Sequence, residues 1–219
     1  MRRALFAALL VAAYCSRAAA QQAPPRIGPI VADVHLTFPN FPNDSVQLAA
    51  SRGNPDLTVT DLPGIGRGID IAAQLYFFKV HGITFGAGGN LMIGTSHSSP
   101  PTPGPGQVAA GKAVSERYTS FAPQISINFG TGYGWSYLSG GIGRSTWSLV
   151  PDGAMEGPAD QEQLKTINYG GGARWFKKKH VGFSFDVRFY AINPGTPFGA
   201  SLGSPRTRLL VMGAGVSLK

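Results

Sequence analysis

The stretch "GFSFDVRFY", residues 182–190, puts Phe183, Phe185, Val187 and Phe189 on one set of alternate positions and Ser184, Asp186 and Arg188 on the other. A period of two is that of a β-strand with one apolar and one polar face. The same alternation recurs in Ile27–Phe38, Arg67–Phe78, Ile83–Gly94, Arg117–Phe129, Trp135–Trp147, Leu164–Phe176, Val181–Ile192 and Thr207–Leu218. Strands of about 12 residues exceed the ordinary globular strand of about 5–6. They match the roughly 9–11 tilted residues of a membrane strand with a rim added. No segment carries convincing helical periodicity, so an all-β, eight-stranded fold is expected.

The connections alternate in length. Those after the second, fourth and sixth strands are tight: "KVHG", "GTGYG" and "KKKH". Those after the odd strands are long and polar: Pro39–Gly66, Thr95–Glu116, Leu149–Gln163 and Asn193–Arg206. The second of these holds "SSPPTPGPG", a composition that favours disorder. In the first, "SVQLAAS" and "LTVTDL" flank "RGNPD" and predict a short hairpin extending the wall outward. Short turns at one end and long loops at the other describe an antiparallel up-and-down transmembrane barrel with periplasmic turns and extracellular loops.

The polar faces decide which side is inside. They read Asp70, Ala72, Gln74, Tyr76; Thr84, Gly86, Gly88, Asn90; Ala122, Gln124, Ser126, Asn128; Ser139, Gly141, Gly143, Ser145; Asn168, Gly170, Gly172, Arg174. A soluble exterior would be about 25–35% charged, whereas these faces are small and mostly neutral. Small residues suit the interior of an eight-stranded ring barely wide enough for its own side chains. The opposite faces are apolar, and aromatics gather near the strand ends. Phe77, Phe129, Tyr133, Trp135 and Trp175 lie at the turn side, and Phe38, Tyr118, Trp147 and Phe189 at the loop side. Such girdles mark the two edges of a membrane band. The lumen then receives Asp33, His35, Asp70, Arg174, Asp186 and Arg188, which must pair or reach water.

The N-terminus predicts export. "MRR" precedes the apolar "ALFAALLVAAY", and Ala18-Ala19-Ala20 offers a cleavage site, so residues 1–20 read as a signal peptide and 21–219 as the barrel domain. The apolar run is too short for a membrane helix, which needs about 20 residues. Cys15, the only cysteine, leaves with the leader. Loss of Arg2, Arg3 and Arg17 lowers the 19 basic residues to 16 against 11 acidic ones, a net charge of +5. That excess is a poor argument for nucleic acid, which an exported protein rarely meets.

In "LSGGIGRSTW", "INYGGGARWF", "VGFSFDVRFY" and the closing "LLVMGAGVSLK", the chain resembles the small eight-stranded outer-membrane barrels of OmpA/OmpX type. The resemblance implies insertion into the bacterial outer membrane by the assembly machinery. Such barrels usually end on an aromatic residue, where this chain has Leu218-Lys219. Some barrels of this size resemble enzymes that modify lipid A acyl chains, so His97 beside Ser96, Ser98 and Ser99 needs weighing. A Ser–His pair requires a third orienting group and a rigid scaffold, and a proline-rich loop predicts neither. "GAGG" and "GGIG" do not match a phosphate-binding loop. His81 and His180 lack metal-site spacing, so no cofactor is expected. The expected role is a non-catalytic structural and surface-interaction module with a filled lumen, whose loops meet an extracellular ligand. The alternatives are a narrow pore for water or small ions and a lipid A-modifying enzyme. Arg67, Arg117, Arg144, Lys165, Arg206 and Arg208 fall at the upper strand ends. There, guanidinium groups would meet lipopolysaccharide phosphates.

Overall fold

The computed structural model describes residues 25–51, 57–100, 104–106, 111–197, 199 and 202–219. The leader at 1–20 and parts of the proline-rich loop lie outside the described residues. Eight strands follow in order: β1 (Ile30–Asn40), β2 (Arg67–Val80), β3 (Ile83–Ser98), β4 (Val114–Thr131), β5 (Gly134–Pro151), β6 (Leu164–Trp175), β7 (Val181–Ile192) and β8 (Thr207–Leu218). Each pairs antiparallel with the next, and β1 closes on β8. Closure leaves no free edge in the ring, which a sheet surrounded by hydrocarbon requires.

The faces are sorted as the alternation demands. Ile69, Ile71, Leu75, Phe121, Ile125, Leu138, Phe183 and Phe185 are exposed on the outer wall, while Asp70, Gln74, Asn90, Gln124, Asn128 and Asn168 are buried inside. Phe183, Phe185 and Phe189 therefore look outward, with Asp186 and Arg188 in the lumen. A wall of this composition is solvated by lipid, not water. Register slips by one residue in β2, where Tyr76 pairs with Gly86 but Phe78 with Phe85. The bulge turns both Phe77 and Phe78 outward.

Three features depart from expectation. The first loop holds helix α1 (Val46–Ser51) and a 3-10 turn at Val59–Asp61, where alternation had predicted a hairpin. Ser45 Oγ accepts the Leu48 N–H at 3.1 Å as an N-cap. A helix lets Leu48 and Ala49 share one face against the barrel mouth, alongside Leu57 and Leu62. Strands β3, β4 and β5 also run longer than the alternation suggested, raising a three-stranded flap above the closed ring. Its two edges are covered: Ser96 Oγ donates to the Ile65 carbonyl on one side, and Asp160, in helix α2 (Pro158–Gln161), accepts the Leu149 N–H at 2.9 Å on the other. Finally, Trp135, Tyr118 and Trp147 do not join the aromatic girdles. All three are buried inside the barrel.

Candidate functional site

Those three aromatics help to divide the lumen into tiers. At the turn end, Ile27, Val31, Tyr76, Trp135 and Phe176 form an apolar plug, with Trp135 stacked on Phe176 at 5.0 Å between ring centroids. Lys219 Nζ donates to the Gly132 carbonyl and lies 4.1 Å from the Phe176 centroid. Burial pushes this ammonium below the usual lysine range. At the loop end a larger apolar cluster closes the mouth, with Phe41, Met92, Tyr118, Trp147, Tyr190 and Leu209 among its members.

The polar tier between them holds all six lumenal residues expected from the sequence. Arg174 forks onto Asp33 at 2.9 and 2.6 Å, and the Ser217 hydroxyl donates to the same carboxylate. Its guanidinium stacks on Tyr137, 3.9 Å from the ring centroid. Arg188 donates to both oxygens of Asp186 at 3.1 Å and to Ser139 at 2.8 Å. Tyr137 OH donates to Asp186 at 2.7 Å. Gly172 makes room for that reach, because a Cβ there would lie 2.0 Å from the Phe185 carbonyl and 2.8 Å from Tyr137 OH. His35 Nδ1 faces Asp70 at 3.6 Å and its Nε2 meets Ser184 Oγ at 2.8 Å. Asn90 donates to Asp70 and accepts from Tyr190 OH at 3.1 Å. Asp33, Asp70 and Asp186 thus each face a basic partner.

The outer rim is built differently. Arg67, Arg117, Arg144, Lys165 and Arg208 are exposed on the outer faces of β2, β4, β5, β6 and β8, and exposed Arg206 immediately precedes β8. Arg144 and Lys165 are direct cross-strand partners, a like-charge pairing that costs stability unless an anion intervenes. Arg144 Nη1 donates to Gln163 Oε1 at 3.0 Å. Among the described residues, Arg67, Arg117, Lys165 and Arg208 have no ion-pair partner.

Arg67 and Arg117 border a groove of about 730 Å³ on the outer face of the flap. Arg67 pairs with Thr95, Thr95 with Arg117, and Arg117 with Ser148, so the four form one row across β2–β5. His97, Ser115 and Val150 line the groove above that row, Phe38 and Ile65 one end, and Ala154 and Glu156 the other. Asp152, just before Ala154, ties this region together. It receives Ser115 Oγ at 3.1 Å and meets His97 Nε2 at 3.1 Å. These contacts hold its carboxyl below the usual range.

This corrects the sequence reading of His97. It lies on β3, not in a proline-rich loop, and Asp152 is a third group in contact with it. Ser99 Oγ lies 3.4 Å from His97 Nδ1, so serine, imidazole and carboxylate stand in a chain. His97 and Asp152 are 49% and 50% exposed, however. Water competes at each link, and the arrangement serves best as a clasp between β3, β4 and the loop after β5. Periodicity placed His97 correctly at the rim but gave no signal of Asp152, 55 residues away.

No protein-family model and no curated protein matches the sequence. Among solved structures, Neisserial surface protein A is similar with a TM-score of 0.52 at 12% identity, over 88% of this chain and 97% of that one. The outer membrane protein OprG from Pseudomonas aeruginosa gives 0.49 at 10% identity, over 89% and 97%. Ail, the attachment invasion locus protein of Yersinia pestis, gives 0.42 at 13% identity, over 88% and 100%. At 12% identity it is the fold alone that Neisserial surface protein A shares, and in fold this chain is a small, closed eight-stranded barrel of the outer-membrane type.

Proposed function

We propose that this chain is a non-catalytic protein of the bacterial outer membrane, exported by its leader and inserted by the assembly machinery. Its barrel is an anchor, and its work is done outside by the loops and by a basic rim that meets lipopolysaccharide. One observation carries this reading: the lumen is occupied at three successive levels, with apolar plugs at both ends of a paired polar tier. Such an interior leaves the outer surface for interaction. The rim cations without internal partners supply the chemistry for phosphate.

The polar middle tier favours one second reading, a narrow path for water or small ions. Planar bilayers separate the two. The anchor reading expects little or no steady conductance, and a heat-modifiable band in outer-membrane fractions. Large, regular currents would put the pore first, and an unshifted band in the soluble periplasmic fraction would refute both.

A further inference from the structure

The six rim cations do not stand in equivalent surroundings. Arg144 lines a smaller pocket of about 450 Å³ with Phe121 and Gln163, Arg206 lines one of about 360 Å³, and Lys165 and Arg208 line neither. Arg67 and Arg117 instead open together onto one larger groove. Thr95 lies between them, so their Cα atoms are two strand spacings apart, about 10 Å. Two long guanidinium arms based at that distance can converge on one phosphate or hold two neighbouring ones. Neither arm has an ion-pair partner among the described residues.

The other groove residues suit the remainder of an amphiphile. Thr95, Ser115 and Ser148 present hydroxyls, and His97 and Glu156 add groups able to bond sugar hydroxyls. Phe38 at one end is exposed on the lipid-facing side of β1, so the groove opens toward the acyl region. Two glutamates border the groove. Glu116 is buried and accepts from Trp147 Nε1 at 2.7 Å, while exposed Glu156 sits near Ala154, at the end away from Arg67. The Asp152 carboxylate nearby is engaged by His97 and Ser115. Positive charge therefore lies along the row nearer the membrane wall, below His97 and Ser115, as a phosphate joined to acylated sugar requires.

We infer that the groove between Arg67 and Arg117 is a discrete seat for one phosphorylated glycolipid headgroup of the outer leaflet, its phosphate held by the two guanidinium groups. This rests on the reading of the rim as lipopolysaccharide-facing and narrows it from a ring of charge to a single site.

The test compares two double variants of equal charge change, Arg67→Gln with Arg117→Gln and Arg144→Gln with Lys165→Gln. Each is refolded in detergent and checked for heat-modifiable migration. Binding of diphosphorylated lipid A, its dephosphorylated form and inorganic phosphate is then measured by native mass spectrometry. The seat predicts one tightly held diphosphorylated lipid A on the wild type and on the Arg144/Lys165 variant. The Arg67/Arg117 variant should lose about tenfold or more in affinity, as loss of paired charge-assisted bonds implies. Equal losses in both variants would overturn the seat and leave a diffuse ring. No loss in either would remove the ring reading as well. Equal binding of the dephosphorylated lipid, or equally tight binding of inorganic phosphate alone, would each overturn recognition of a phosphorylated headgroup.

Discussion

Arg174→Met tests whether the polar tier is a stabilising plug. Arg174 makes two bonds to Asp33, at 2.9 and 2.6 Å, and covers the Tyr137 ring. Both charged side chains are almost wholly buried. Methionine keeps much of the volume but leaves the Asp33 carboxyl with only the Ser217 hydroxyl. Breaking a buried pair from one side costs about 3–5 kcal/mol, because the remaining charge has lost both water and partner. The stacking on Tyr137 adds about 1–2 kcal/mol more where the cation is desolvated. Asp33→Asn alone should cost a comparable amount, leaving Arg174 unneutralised beside Tyr137.

The double variant separates this explanation from simple packing loss. With both charges gone, no group is left ionised and unpaired, and the introduced amide could still accept from Ser217. Its cost should fall short of the summed single costs by about 2–3 kcal/mol, the upper range for residues in direct contact. Urea unfolding from lipid vesicles, followed by tryptophan fluorescence with Trp135 near the site, measures all four species. Additivity within about 0.5 kcal/mol would mean the pair contributes no coupling, and the plug would then have to be explained by shape alone.

Other consequences are simpler to check. Phe185→Arg should impair assembly, because arginine near the midplane of a barrel wall costs about 2–4 kcal/mol, while Val181→Arg at the turn-side rim should be milder; equal folding yields into vesicles would contradict the register. Gly172→Ala should destabilise, since its Cβ would meet the Phe185 carbonyl at 2.0 Å, whereas Gly82→Ala, with nothing within 4 Å, should be tolerated in the same unfolding assay. Arg188→Ala frees Asp186 and Ser139 together and should lower stability and admit sporadic openings in planar bilayers; a variant as stable and silent as wild type would refute a plugging role. The Asp152 clasp contributes above the ordinary carboxylate value of 3.8 and is lost only as pH falls through its lower folded value. Hydrogen exchange in residues 152–163 should thus rise only below about pH 3.8, and a rise near pH 5 that Asp152→Asn does not share would count against the sign of the shift.

The eight strands were legible because a two-residue period survives every local detail, and β7 and β8 fall within their expected bounds to the residue. The lumenal residues were legible for the same reason. The misplaced aromatics show where reasoning by residue type overruled the pattern. Trp135 shares its parity with Ser139 and Ser145, Tyr118 with Ala122 and Ser126, and Trp147 with Ser145. Parity alone puts all three inside. Helix α1 was hidden for a different reason. Six residues in "VQLAAS" are too few to set a helical period against an alternating one, and what selects the helix is the apolar mouth beneath it. Pairings such as Arg174 with Asp33, 141 residues apart, follow from the closure of the ring and have no local trace.

The two charged sets differ in a way that bears on what each is for. Asp33, Asp70 and Asp186 face Arg174, His35 and Arg188 within the lumen, as low polarity demands of charges that must stay folded away from water. The rim cations cost nothing to leave unpartnered while water surrounds them, so folding alone does not explain why Arg144 and Lys165 face each other across one rung. Replacing the lumenal charges should therefore change stability with little effect on surface binding. Replacing Arg67 and Arg117 should do the reverse, while replacing Arg144 and Lys165 should raise stability slightly by relieving their repulsion across one rung. A variant set that moved both properties together would mean that the wall transmits strain between them, and the division between an inert interior and a working exterior would fail.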